Sequence, residues 1–110
     1  MNVRLIIPIN SALSTCPHDP TPYLRTIANI AGGYTSYRGQ GGWINSMGLL
    51  VEEPVTIVDC NIQSHTDWGL SPVAIGCVKA FRALARTIAV ELSQECVFLS
   101  IDGKAELVRP

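Results

Sequence analysis

The sequence predicts an α+β domain of ferredoxin-like order, βαββαβ. One antiparallel sheet carries two helices on one face, and a short strand is added at the C-terminal end. Three observations predict this. Two stretches carry apolar residues at helical spacing, Leu24 to Ala31 and Ala74 to Leu92, and each follows a cap-and-proline start. Between them lies a long ribbon of strand-forming residues folded about Asn45-Ser46-Met47-Gly48. Short runs rich in Val, Ile and Leu flank the two helices at the ends of the chain. A length of 110 residues suits one domain, 1–110.

The first strand runs from Val3 to Ile9, with Pro8 marking an edge or an exit. Small, polar and proline residues make Asn10 to Pro20 a loop, and at that length a loop often carries function. Thr21 then stands as N-cap, Pro22 as the first helical residue, and Leu24, Ile27, Ala28 and Ala31 as the apolar stripe. Gly32-Gly33 ends the helix, because glycine accepts the left-handed conformation of a C-cap. The ribbon's first arm starts at Tyr34, with Tyr34, Ser36 and Arg38 expected on one face. Its second arm runs from Leu49 to about Ile62, with Pro54 expected to mark a bulge or an edge. Asn61 to Gly69 reads as a polar loop. Ser71-Pro72 starts the second helix, which puts Ala74, Cys77, Phe81, Leu84, Ala85, Ile88 and Leu92 on one face and Lys79, Arg82 and Arg86 on the other. Cys96 to Ile101 is a buried strand, Asp102-Gly103 a two-residue hairpin turn, and Lys104 to Val108 the closing strand.

Composition narrows the function. Charged residues make up 15% of the chain, against about 25% in an ordinary soluble domain. So few charges leave surface for sister subunits to cover, and self-association is expected. A net charge of −1 with no basic cluster argues against nucleic acid as a partner. No apolar run approaches a membrane span, and the N-terminal apolar stretch is too short for a signal peptide. Cys16, Cys60, Cys77 and Cys96 form no CxxC pair, so the reading is reduced thiols, two or more of them in the core, in a cytoplasmic protein.

Gly39-Gln40-Gly41-Gly42 is not a phosphate loop, because no helix follows it and no P-loop lysine is present. Glycines in a strand mark a bulge or a close approach of a ligand or backbone. Cys16-Pro17-His18-Asp19 gathers three possible ligands, with His65 and Asp67 elsewhere, but no second cluster stands at zinc spacing, so no metal is expected, and the segment reads as a proline-rich turn with Asp19 capping the helix. No local signature places a cysteine–histidine nucleophile. Arg82 and Arg86 read as a solvated helix face. Glu52-Glu53 is more informative. Neighbours on a strand point to opposite faces, so one glutamate faces any given cleft. Tyr34, Tyr37 and Trp43 lie on the strand expected to pair with it, and aromatic faces beside a carboxylate suit a cation or a nucleobase.

Four segments together resemble a known family: Ser11-Ala12-Leu13-Ser14-Thr15-Cys16; Gly33-Tyr34-Thr35-Ser36 with Gly42-Trp43; Glu52-Glu53 before Val55-Thr56-Ile57-Val58; and Gln94-Glu95-Cys96-Val97. They are similar to the small phage-encoded enzymes that degrade S-adenosylmethionine (SAM), the SAM lyases. The resemblance implies a homotrimeric ferredoxin-like protein that binds SAM as substrate at subunit interfaces and needs no cofactor. It implies conversion of SAM to methylthioadenosine and homoserine lactone, which would deprive host restriction and methylation of their cofactor. In that reading Glu53 and Tyr34 are catalytic, while Glu52, Ser11, Ala12, Tyr37 and Trp43 bind substrate. Family members use a tyrosine from the hairpin; this chain has Trp43 just before the turn, with Tyr34 and Tyr37 the nearest tyrosines. Two other readings stand beside this one: a non-catalytic nucleotide or nucleoside binder, and an oligomeric interaction module without a small ligand.

Overall fold

The computed structural model describes residues 1–9, 19–62, 65–66 and 69–110. Its order is β1 (Asn2–Pro8), α1 (Thr21–Ala31), β2 (Thr35–Ile44), β3 (Leu50–Asn61), β4 (His65–Thr66), β5 (Gly69–Leu70), α2 (Pro72–Glu91), β6 (Val97–Ile101) and β7 (Lys104–Val108). The main sheet runs β2-β3-β1-β6-β7, antiparallel throughout. Its first four strands have the ferredoxin-like order that the sequence predicts, and β7 extends the sheet beyond β6. The stretch read as a polar loop after β3 contains a small separate hairpin, β4 with β5.

Period-two alternation decides which face is covered. Val3, Leu5 and Ile7 of β1, Val58 and Cys60 of β3, Val97 and Leu99 of β6 and Val108 of β7 point toward the helices, where Ile27 and α2 bury them. All seven apolar residues assigned to the inner face of α2 are buried, and Phe81 is among the largest fully enclosed side chains. On α1 the packing face is broader than the predicted stripe. Tyr23 and Ile30 also lean on the core, and the Tyr23 hydroxyl donates to the Glu91 carboxylate, tying the two helices. Cys60 and Cys77 are buried free thiols. Burial pushes the Cys60 thiol up to about 11, which keeps it protonated and inert at neutral pH.

Local chemistry sets the element ends. Ser71 caps α2 by accepting from the Ala74 N–H at 3.1 Å. At α1 Thr21 is already helical and so is not the N-cap, while Asp19, also read as capping this helix, accepts through its carboxylate from the Thr21 N–H at 3.0 Å and its hydroxyl at 2.7 Å. These bonds hold the Asp19 carboxyl below its ordinary pKa. Asp102 and Gly103 both have positive φ, as a type I′ hairpin demands. Asp102 also exchanges backbone and side-chain bonds with Asn2, fastening that turn to the start of β1. Pro54 makes no bulge: β2 and β3 stay in continuous register from Thr35↔Asp59 to Ile44↔Leu50. It stands instead where β1 stops pairing, at Pro8↔Val55. Beyond that point Gln40–Ile44 and Leu50–Pro54 continue as a two-stranded arm. The chain measures 49 × 27 × 22 Å. Its 14.6 Å radius of gyration exceeds the roughly 13 Å of a compact domain this long.

Candidate functional site

The sheet face away from the helices carries the candidate site. On β2 it presents Thr35, Tyr37, Gly39, Gly41 and Trp43; on β3, Val51, Glu53, Val55, Ile57 and Asp59. Tyr37 and Trp43 are each 44% exposed, so two aromatic rings stand roughly 20 Å apart with two glycines between them. The glycines have a specific purpose. A Cβ at Gly39 would lie 2.9 Å from Ile57 Cδ1, and one at Gly41 would lie 3.2 Å from Val55 Cγ1. The apolar side chains of β3 therefore lie across β2 and form a flat platform flanked by the rings.

Glu53 stands at this platform, opposite Gly41. It has no hydrogen-bond or ion-pair partner among the described residues, and partial burial raises its carboxyl above the ordinary glutamate pKa. A half-buried carboxylate without a partner is costly unless something else completes it. Glu52 points to the opposite, helix-side face, where Gln40 Nε2 donates to it at 3.5 Å, a contact at the limit of a hydrogen bond.

Tyr34 is not brought to Glu53 within one chain. It precedes β2, the strand on which it was expected to stand with Ser36 and Arg38. It lines a shallow cleft of about 430 Å³ at the C-terminal end of α1, with Gly32, Gly33, Asp59 and Asn61. Seven residues separate it from Gly41, roughly 23 Å along a strand. Ser11 and Ala12 lie outside the described residues, as do Cys16, His18 and Asp67. Among the described residues no three metal-ligating side chains stand together.

Sequence reasoning missed one cluster on this face. Arg4 Nε and Nη2 donate to the two Asp59 oxygens at 2.7 and 3.0 Å, a bidentate pair. The Tyr37 hydroxyl accepts from Arg4 Nη2 at 3.2 Å and donates to Asp59 Oδ2 at 3.1 Å. The hydrogen bond from Arg4 holds the Asp59 carboxyl below its usual range. The cluster fixes the Tyr37 ring at one end of the platform. Its signal lay in single polar residues interrupting apolar strands, Arg4 in β1 and Asp59 between Val58 and Cys60. Arg82, read as merely solvated, pairs with Glu106 at 2.8 Å across α2 and β7.

A two-layer, ferredoxin-like α+β domain whose aromatic and acidic sheet face carries no helix among the described residues is the class that this fold and site define. Solved structures give that class a particular parallel. The chain is similar to a phage SAM lyase in complex with S-methyl-5′-thioadenosine (TM-score 0.66, 15% identity, over 99% of this chain and 88% of that one). It is equally similar to phage SAM lyase in the apo state (TM-score 0.67, 15% identity, the same coverage). At that identity the likeness shows the shared fold. No family model matches the sequence, and no curated protein does.

Proposed function

We propose that this chain degrades SAM as a carbon–sulfur lyase, releasing methylthioadenosine and homoserine lactone at a seam between copies of itself. The observation that carries the reading is Glu53: a half-buried carboxylate, unpartnered among the described residues, between aromatic rings, on a fold shared end to end with a lyase solved with methylthioadenosine.

The chemistry asks little of the protein. A substrate carboxylate oxygen attacks the γ-carbon of the same methionyl chain and closes a five-membered ring. The Cγ–S bond breaks, and its electron pair goes to sulfur, which leaves as a neutral thioether. No water or proton enters the balance. The protein needs to hold the folded, near-attack shape and keep water out. Trp43 and Tyr37 offer faces for the adenine, and the Val55–Ile57 platform offers a dry floor.

Physics also decides between two roles for Glu53. Positive charge on sulfur diminishes on the way to the transition state, so a carboxylate placed beside it would favour the ground state and slow the reaction. Glu53 serves better as an acceptor for the ribose hydroxyls, anchoring the nucleoside while the methionyl chain folds. The purified protein incubated with SAM should yield methylthioadenosine and homoserine lactone by chromatography. Glu53→Gln should lose at least tenfold in rate with its melting curve preserved. Tight SAM binding without products would instead identify a nucleoside-binding protein, and neither binding nor products would leave an interaction module.

A further inference from the structure

We infer that β2 is a self-complementary edge, which pairs antiparallel with β2 of a second copy about a two-fold axis at Gln40. β2 pairs with β3 alone, and over its ten residues the backbone groups on its outer side have no strand partner among the described residues. Monomeric proteins blunt such edges with charge, proline or shortness. β2 is ten residues long, contains no proline, and carries a single charge, Arg38.

The segment Tyr37-Arg38-Gly39-Gln40-Gly41-Gly42-Trp43 reads almost as a palindrome. Centred on Gln40, antiparallel pairing sets Tyr37 against the partner's Trp43 and Gly39 against the partner's Gly41. Directly opposed residues share a face, so the aromatic residues meet in cross-strand pairs on the platform side. Arg38 falls opposite the partner's Gly42. On that strand's far side stands the partner's Glu52, which faces Gly42 in the β2–β3 register. Gly42 has no side chain to intervene. Two strand spacings, about 10 Å, lie within the joint reach of an arginine and a glutamate. Within one chain Arg38 is four residues from the position facing Glu52, roughly 13 Å along the strand. The charge match therefore belongs to the pair of copies, and it is made twice by symmetry.

The pairing joins two platforms into one surface with four glycines at its centre, a Glu53 on each flank and a Tyr–Trp pair at each end. Glycine pairs alone would make a weak register, and the aromatic pairs and ion pairs fix it. A two-fold contact gives a dimer, or a hexamer if combined with the three-fold assembly implied by the family resemblance. It deepens the seam invoked for SAM cleavage, but it stands on the strand edge alone and can be tested without substrate.

Gln40→Cys should give a covalent dimer on mild oxidation, because opposed residues across antiparallel strands meet disulfide geometry. The unsubstituted chain, oxidised alike, supplies the background from its own cysteines. Ser36→Cys should not cross-link above that background, since the two Ser36 positions lie roughly 26 Å apart in this register. By light scattering, Arg38→Glu should weaken association at least tenfold, and Arg38→Glu with Glu52→Arg should restore it. A monomer or a pure trimer, cross-linking through Ser36→Cys rather than Gln40→Cys, or failure of the charge swap would each overturn the pairing. SAM turnover with none of these signatures would leave the catalytic reading standing and remove this one.

Discussion

From Thr35 to Gly39, and from Val55 to Asn61, the β2–β3 ribbon belongs to a five-stranded sheet with helices beneath it. From Gln40 to Pro54 it is two strands and a turn. The base buries Val58, Cys60 and Ile62 in the common core. The arm exposes Trp43, Ile44, Met47, Leu49 and Leu50. An isolated two-stranded hairpin is marginal in water, and a cluster of exposed apolar residues marks a contact surface. The same ribbon thus packs into the common core at one end and leaves apolar side chains exposed at the other.

The largest test of that contrast is in the base. Phe81→Ala empties a fully buried site between α2 and the sheet and should cost about 3–5 kcal/mol, measured by urea unfolding. Leu49→Ser with Leu50→Ser in the arm should change unfolding of the dilute monomer by no more than about 0.5 kcal/mol while lowering self-association severalfold. A large loss of monomer stability from the arm variant would break the distinction.

The platform lies between these extremes. At Gly39 a new Cβ meets the tip of a flexible isoleucine, so Gly39→Ala should cost about 1 kcal/mol as Ile57 moves aside. Gly41→Val places branches against Val55 and beside Glu53. It should reduce SAM turnover at least tenfold, with a stability loss of about 1–2 kcal/mol. Activity and stability should separate at Gly41 but not at Phe81.

Titration gives a subtler test, because the two acids carry opposite signs. Burial raises the Glu53 carboxyl in the fold, so its contribution favours the native state below the ordinary glutamate range and is lost as pH rises through the raised value. The Arg4 hydrogen bond lowers the Asp59 carboxyl, so its contribution is present above the ordinary aspartate range and is lost as pH falls through the lowered value. Stability profiles of Glu53→Gln and Asp59→Asn should therefore diverge from the parent in opposite directions. Turnover should also fall on the acid side with a midpoint above that of an ordinary glutamate, since ribose hydroxyls need the ionised form as acceptor. The smallest effect belongs to Arg4→Gln. Its pair with Asp59 is solvent-facing, so melting should barely move, and any loss should appear in substrate affinity through a loosened Tyr37.

Much of the base was legible because its patterns are local. The α2 face, the Asp102-Gly103 turn and the alternation of β1 each announce themselves within a few residues. At α1 the sequence offered both Thr21 and Asp19 as caps; Thr21 is already helical, and Asp19 takes the bonds at the helix start. The site was less legible. Glu53 and Trp43 were read as neighbours from the hairpin, and the register puts them on one face. That Tyr34 stands before β2 rather than within it follows only from the strand's start at Thr35. Arg4 and Asp59 meet across 55 positions of sequence, and only the β1–β3 register joins them.

The turn at the arm's tip has a consequence for the self-association proposed above. Asn45 Oδ1 accepts from the N–H groups of Met47 and Leu49 at 2.9 and 3.0 Å, and Gly48 takes the positive φ that closes the loop. These contacts are made before any encounter, so the tip has little chain freedom left to surrender on docking. Complex formation should then be fast, limited by orientation rather than by refolding, and replacing Asn45 with alanine should slow it through the ordering entropy of a loosened loop.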